Sequence, residues 1–366
     1  MKKTLVFLVL TALLLISATA LADMPVVESS MPLQYARNFT LDYLEGGYTL
    51  ITISDGSRFL TIPEGMEAPE NLDEDVTPLR LPLSNLLISS TSTISLIDAI
   101  GRLDAVGQTT TDADSWYIDT VREALSTGQM RYIGSYKEPD FEVLAAEQPP
   151  LAVFSTMLLS APDVAEKLAE LGIPVLMDQS TYEEHPLARV EWVKLYGEML
   201  GRQAEAQAVF EAQAALVDGL QAAAAEKTVA MFYIISNGGL YARNGGDYMA
   251  KMLELAGGSY VPAGLNPEKS GTQKLEMEEF YAQAGDADYI IYIWSTGGKP
   301  ATMAELLERN AMLSEFKAVK EGNVWCTTPD YFQISDSLGE MIADMNRMLT
   351  NNDPGVDAFT YLFRLQ

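Results

Sequence analysis

The sequence predicts an α/β protein with two Rossmann-like lobes joined by a single long backbone helix. Three observations lead to this prediction. Short apolar segments alternate with amphipathic ones up to about residue 190, a long segment rich in Ala, Glu, Gln and Leu follows, and the alternation begins again near residue 228. Strands that alternate with helices in this way form βαβ units and mainly parallel sheets.

The first 22 residues have the pattern of a secretory signal peptide. Two lysines precede the apolar run Leu5–Ile16, and Ala20-Leu21-Ala22 offers a cleavage site. The apolar run is short for a membrane span, which needs about 20 residues. Because Asp23 and not cysteine follows the cleavage site, we expect a periplasmic chain, exported and free in solution, that is not a lipoprotein.

Composition narrows the class of protein. With 24 basic and 51 acidic residues, the formal charge of −27 disfavours nucleic acid and anionic membranes as partners. The sole cysteine, Cys326, lies in an apolar run and predicts a buried, inert thiol. One histidine, His185, is too few for most zinc sites, and no catalytic motif is present. We therefore expect no enzyme, resident cofactor or metal site, although an exported carboxylate-dependent hydrolase stays open.

The N-terminal lobe is expected over residues 35–201, after an unstructured lead at 24–34. Residues 35–62 read as a β-hairpin unit that turns at Gly46-Gly47, and 63–77 as an acidic loop. Four further elements are predicted from short apolar runs and one amphipathic segment. They are strands at Leu86–Ser89, Leu151–Phe154 and Val175–Met177, and a helix at Val164–Leu171 that ends at Gly172.

The backbone helix is assigned to residues 202–227, within which Gln203–Glu226 would extend about 36 Å at 1.5 Å per residue. The C-terminal lobe is assigned to residues 228–366. Its predicted strands are Val229–Ile235, Tyr289–Trp294 and Asn323–Cys326, and its predicted helices are Tyr248–Ala256, Met277–Ala284, Met303–Arg309 and Leu338–Leu349.

Several motifs occur in the order found in one known family. They are Ser89–Thr93 before a helix and Leu103-Asp104-Ala105-Val106-Gly107, then Gly134-Ser135-Tyr136, Pro139–Ala145 with Pro149–Val153, Leu168–Val175, and Leu275–Glu278 with Ala287–Ile291. Over residues 80–350 the chain resembles the substrate-binding proteins of ABC importers for iron complexes and vitamin B12, the class III periplasmic binding proteins. The segment 112–128 departs from the compact vitamin B12 binder and leaves the ligand open.

The resemblance implies a monomer that captures a metal chelate, either a siderophore, haem or a corrinoid, and delivers it to an ABC transporter permease. A ligand sensor that has lost transport is the alternative on the same fold. The family also implies one docking glutamate on each lobe. The motif match gives Glu142 in the first lobe and Glu278 in the second, with Glu279 as the fallback, and a solvated acid is the ordinary alternative for each.

Ligand contacts are expected in the cleft, at the carboxyl ends of strands. The first lobe offers Thr91 and Ser92 after its first strand, with Tyr136 and Met157. The second lobe offers Tyr241 and Arg243 in a glycine-bearing loop, with Trp294 and Tyr331. An arginine can bind a carboxylate or phosphate of a ligand or pair with a neighbouring acid, and Arg189 leaves both possibilities open. His185 is either a loop residue or an axial ligand to a metal.

Overall fold

A computed structural model describes residues 24–220, 226–294, 298–351, 353 and 355–366. The predicted signal peptide, residues 1–22, lies outside the described residues. Within the described ranges, no helix combines the length and the apolar character that crossing a membrane requires.

A five-stranded sheet precedes the first lobe. Its strands, in spatial order, are β1 Val27–Ser30, β2 Phe39–Leu44, β3 Tyr48–Ile53, β4 Arg58–Ile62 and β5 Val76–Arg80. Gly46 and Gly47 both have positive φ and close the turn between β2 and β3. The predicted hairpin is thus the centre of a larger sheet. The prediction of an unstructured lead at 24–34 was wrong, because β1 forms within it. All four residues of β1 are exposed, so the strand has no apolar alternation that would reveal it.

The first lobe has a five-stranded parallel sheet in the order β12-β11-β6-β7-β8. Its strands are β6 Leu86–Ile88, β7 Val106–Thr109, β8 Arg131–Tyr132, β11 Ala152–Ser155 and β12 Val175–Asp178, and β9 Gly134–Ser135 forms a separate hairpin with β10 Glu138–Pro139. The helices are α1 Thr91–Ala99, α2 Asp119–Thr127, α3 Phe141–Glu147 and α4 Pro162–Glu170. The buried strands and flanking helices confirm the α/β architecture of the predicted fold class.

Three helices lead from the first lobe to the second: α5 Pro186–Glu191, α6 Val193–Leu200 and α7 Gln203–Asp218. The predicted backbone helix is therefore shorter than expected, with 16 residues that extend about 24 Å. It ends at Gly219, whose amide bonds back to Ala215, and residues 221–225 of the predicted helix lie outside the described residues. Close packing fixes its position, since a Cβ on Gly197 would lie 2.4 Å from the Cβ of Ala206.

The second lobe has a mixed sheet in the order β16-β14-β13-β17-β18-β19, with β15 beside β13. Its strands are β13 Thr228–Ile234, β14 Leu240–Arg243, β15 Ser259–Val261, β16 Thr272–Leu275, β17 Tyr289–Tyr292, β18 Val324–Thr327 and β19 Leu362–Arg364. Its helices are α8 Tyr248–Leu255, α9 Met277–Ala284, α10 Met303–Arg309, α11 Lys317–Lys320 and α12 Leu338–Thr350. The main hydrophobic core continues from Phe39 through α5–α7 to α12, so the lobes share it. The predicted lobe boundaries stay a prediction.

Two buried carboxylates join the N-terminal segment to α5. Glu191, which is fully buried, accepts the backbone N–H groups of Gln34, Tyr35 and Ala36 at 2.7–2.8 Å and a bond from Lys194 at 2.8 Å. Burial alone would raise the pKa of the Glu191 carboxyl, but these bonds outweigh it and hold that pKa below its ordinary value. At the other end of α5, Glu183 accepts the amides of residues 37 and 38.

We expect Glu191→Ala to lower the free energy of unfolding by about 3–5 kcal/mol, because it leaves the buried ammonium of Lys194 unpaired. Urea unfolding at pH 7 measures this. Glu166→Ala, at an exposed site on α4, is the matched control and should change stability by less than about 0.5 kcal/mol. The double variant Glu191→Met with Lys194→Met should be more stable than the single variant, since no unpaired charge remains. A loss like that of the control would contradict the assigned role of Glu191.

Candidate functional site

The first group of predicted ligand residues lies in loops at the carboxyl ends of the first-lobe strands. After β6, the Ser89 hydroxyl lies 2.7 Å from that of Thr110, and Ser90 caps α1 by accepting the amide of Thr93 at 3.3 Å. Thr91 and Ser92 form the half-buried first turn of this helix. The structure thus places both residues at the expected edge of the sheet. Their contact with a ligand stays a prediction.

An apolar surface lies at the same edge of the sheet. Met157 and Leu159 are 56% and 64% exposed in the turn after β11. The hydroxyl of Tyr136 lies 3.5 Å from that of Ser160, at the end of the same turn. Tyr136 and Met157, predicted separately, therefore share one surface. Sequence reasoning missed Leu159, although it lies only two residues beyond Met157.

The second-lobe candidates Tyr241 and Arg243 lie in strand β14, which corrects their prediction as loop residues. The turn is confined to Asn237–Gly239, and β14 pairs with β13 so that Tyr241 opposes Tyr233. These two rings stack, with centroids 5.4 Å apart. Arg243 is two residues further along the strand, on the same face of the sheet.

Arg243 is buried and incompletely paired. Its Nη1 lies 3.6 Å from the Asp247 carboxylate, and its Nε has no partner among the described residues. Burial opposes its charge, but the neighbouring Tyr331, Asp247 and Tyr248 raise the pKa of the guanidinium above its ordinary value. It therefore remains a cation in the interior, where Asp247 is its ion-pair partner.

Arg189 connects this region to the first lobe. Its guanidinium lies over the ring of Tyr248, 3.7 Å from the centroid, and its Nη2 donates to the carbonyl of Thr181 at 2.8 Å. The hydroxyls of Tyr248 and Tyr331 are 2.6 Å apart. The Nε of Arg189 is also buried without a partner in the described part of the chain.

These contacts join six side chains into one arginine–tyrosine cluster, made of Arg189, Tyr233, Tyr241, Arg243, Tyr248 and Tyr331. Four of them were predicted as separate candidates. Sequence reasoning missed Tyr233 and Tyr248, whose positions depend on strand register and on the packing of α8. The signal available for Tyr248 was its place just after the Asp247 cap of that helix. A cluster of this kind can bind an anionic, partly aromatic ligand.

Trp294 lies at the end of β17, where its amide donates to the Thr327 hydroxyl at 2.9 Å. Its ring meets the ring of Tyr117 edge to face, with centroids 5.2 Å apart. Tyr117 belongs to the predicted insertion at 112–128, so this segment of the first lobe contacts the second lobe.

The predicted docking glutamates are exposed at the first turns of two helices. Glu142 lies on α3, and Glu278 and Glu279 lie on α9. Asp140 caps α3 by accepting the amides of residues 142 and 143 at 3.0 Å. The three carboxylates are accessible to another protein, and their role as docking residues stays a prediction.

The surroundings of His185 and Cys326 are those of residues that support the fold. His185 caps α5, because its Nδ1 accepts the amide of Leu187 at 3.1 Å, and its ring stacks on Tyr35 with centroids 4.2 Å apart. Cys326 is buried in β18, and burial raises the pKa of its thiol to about 12. Among the described residues, no group of three or more His, Cys, Asp or Glu side chains is arranged to hold a metal ion.

A family model described as periplasmic binding protein matches residues 88–331, which is two thirds of the chain. Among solved structures, the petrobactin-binding protein YclQ from Bacillus subtilis aligns with a TM-score of 0.61 and 14% identity, covering 83% of this chain and 99% of that one. A periplasmic heme binding protein from Pseudomonas aeruginosa aligns with a TM-score of 0.58 and 15% identity, covering 77% and 97%. At these identities the likeness concerns the fold.

Two curated relatives come from Methanocaldococcus jannaschii, and each is named an uncharacterized lipoprotein. One is 28% identical over 89% of this chain and 84% of its own length, and the other is 27% identical over 91% and 86%. Their names contradict the prediction that the chain is not a lipoprotein. That prediction rested on one residue, Asp23, in a segment that lies outside the described residues.

Because the helix cap His185 can be protonated, we predict that the stability of the protein depends on pH. Burial lowers the pKa of its imidazole below 6.5, so the unfolded chain binds the proton more readily and stability falls as the pH drops below about 6.5. His185→Asn keeps a capping acceptor that does not titrate. Between pH 7.5 and 5.0, the variant should lose about 1 kcal/mol less than the wild type in urea unfolding. The acidic neighbours, Glu183 and Glu184, are the same in both proteins, so equal losses of stability would contradict the role given to His185.

Proposed function

The chain belongs to the periplasmic binding protein family, and from this premise we propose that it captures an iron complex or a corrinoid and delivers it to an ABC import permease. The observation that carries the proposal is the arginine–tyrosine cluster. It places two arginines with unpartnered Nε–H groups next to four tyrosines, where the lobes meet. The family is one of substrate-binding proteins rather than enzymes, and no observation favours the hydrolase alternative.

The donors of the cluster suit an anionic chelate. A buried N–H without an acceptor costs about 1–3 kcal/mol, and a ligand oxygen that accepts from it recovers part of that cost. The guanidinium fork can bind a carboxylate through two parallel bonds, and the tyrosine rings can contact flat apolar groups. The apolar surface at Met157 and Leu159 supplies contact area for such groups. Two proteins with the same fold are named as binding petrobactin and heme, which supports this ligand class.

Delivery to a permease requires a surface that the permease can recognise. Exposed carboxylates on each lobe, Glu142 on α3 and Glu278 on α9, provide two separated charge contacts. Such contacts mainly accelerate association and fix the orientation of docking. They would pair with basic residues of the permease, and their accessibility favours transport over the sensor alternative.

We expect hemin, ferric petrobactin or cyanocobalamin to bind the purified chain in fluorescence titrations. Arg189→Met should weaken that binding by about 10- to 100-fold, because one charge-assisted hydrogen bond contributes about 1.5–3 kcal/mol. Arg189→Lys should recover part of the loss, since it keeps the charge without the fork. Lys251→Met on α8 removes a cation at the surface and serves as the matched control. If none of the three compounds binds, the proposed ligand class is wrong.

Charge reversal tests the docking residues. Glu142→Lys and Glu278→Lys should each reduce uptake by cells carrying the cognate permease about tenfold, while the affinity for the bound compound stays within twofold. Glu166→Lys, on the exposed face of α4, is the control. Comparison with Glu279→Lys decides the register on α9. A parallel loss of ligand affinity would place these glutamates in ligand binding instead of docking.

A further inference from the structure

Residues Asp112–Ile118, here named the cover segment, extend from the first lobe to the second. The segment is firmly attached to its own lobe. Trp116 is buried, and its indole N–H donates to the carbonyl of Thr111 at 3.1 Å. The carboxylate of Asp112 accepts the amide and the hydroxyl of Ser115 at 3.0 and 2.9 Å. The segment is thus a preformed turn rather than a loose loop.

A single side chain of the second lobe binds the segment at two points. The amide oxygen of Gln333 accepts the backbone N–H of Tyr117 at 2.8 Å, and its Nε2 donates to the carbonyl of Ser115 at 2.6 Å. Gln333 is only 7% exposed, and both bonds are partly buried. An amide that both donates and accepts matches the backbone of the segment as a neighbouring strand would.

These contacts lie next to predicted ligand-binding residues of the second lobe. Gln333 follows the cluster residue Tyr331 by two positions, after the carboxyl end of β18, and Trp294 follows β17. Tyr117 meets Trp294 edge to face. Nearby, the amide of Ser335 donates to the hydroxyl of Ser95 on α1 at 2.9 Å. The lobes are therefore joined directly, beside the ligand candidates.

We propose that the cover segment closes the mouth of the cleft, that Gln333 holds it closed, and that it must detach from Gln333 and Trp294 before a ligand can enter or leave. Gln333 is then a positioning residue that controls the rate of exchange. The part of the proposal that concerns ligand passage rests on the proposed function, whereas the contacts themselves do not.

The first experiment uses the chain without ligand. Gln333→Ala should increase hydrogen exchange at the Tyr117 amide by about tenfold, the factor expected for the loss of one hydrogen bond. Amides of β13, followed in the same samples, report global unfolding and should not change. Trp294 is half-exposed while the other three tryptophans are buried, so acrylamide quenching should also rise in Gln333→Ala and in Tyr117→Ala. Tyr117→Phe keeps the ring and should behave as the wild type.

Gln273→Ala is the matched control, because this glutamine is exposed and its side chain donates to the neighbouring carbonyl of Lys274 rather than to the cover segment. Trp294→Phe identifies the quenched signal. Wild-type exchange at the Tyr117 amide in Gln333→Ala would overturn the proposal, since the segment would then be held by its own lobe alone.

The second experiment measures rates by stopped flow, with hemin and ferric petrobactin as probes. Gln333→Ala should accelerate association and dissociation by similar factors, near tenfold, and leave the dissociation constant nearly unchanged. Faster dissociation alone would assign Gln333 to ligand contact and contradict its role in closing the cleft. If the wild type binds neither probe, the ligand class of the proposed function fails, while the exchange experiment still decides whether the segment is a cover.

Discussion

The buried carboxylate of Glu191 is the interaction on which the position of α5 depends. It binds three consecutive amides of the N-terminal segment and the ammonium of Lys194, and Glu183 repeats the arrangement at the start of α5. Between these anchors, the same short helix presents Arg189 to the arginine–tyrosine cluster. The segment between β1 and β2 therefore helps to fix the position of Arg189, since a shift of α5 would move Arg189 away from Tyr248.

Much of the fold follows from local patterns in the sequence. The apolar strands and glycine-terminated helices of both lobes are regular, and the strand of Val175 and the helix ended by Gly172 form where the pattern predicts them. The length of α7 does not follow as simply. Its alanine-rich sequence favours helix beyond Gly219, but that glycine ends the regular hydrogen bonding. An exposed edge strand such as β1 has no apolar periodicity to reveal it.

Candidate site residues could be named one by one from the sequence, but their assembly into one cluster could not be predicted. Arg189, Tyr241, Arg243 and Tyr331 carry side-chain chemistry that suggests binding, whereas Tyr233 and Tyr248 join them only through strand register and helix packing. The contact between the cover segment and Gln333 was even harder to predict, because Tyr117 and Gln333 are 216 residues apart in the chain. Bonds of that kind depend on how the lobes meet, which local periodicity does not encode.

The charge of the chain sets a condition on how an anionic ligand could bind. A formal charge of −27 repels anions at long range, but screening reduces that repulsion beyond about 8 Å at physiological salt. Attraction must then come from groups at contact distance. Buried arginines meet this condition, because their interactions are screened least where water is excluded. Arg243 is buried and paired with Asp247, and the half-buried Arg189 is stacked on Tyr248. A cover that excludes water from the mouth of the cleft would strengthen the same contacts once a ligand is bound.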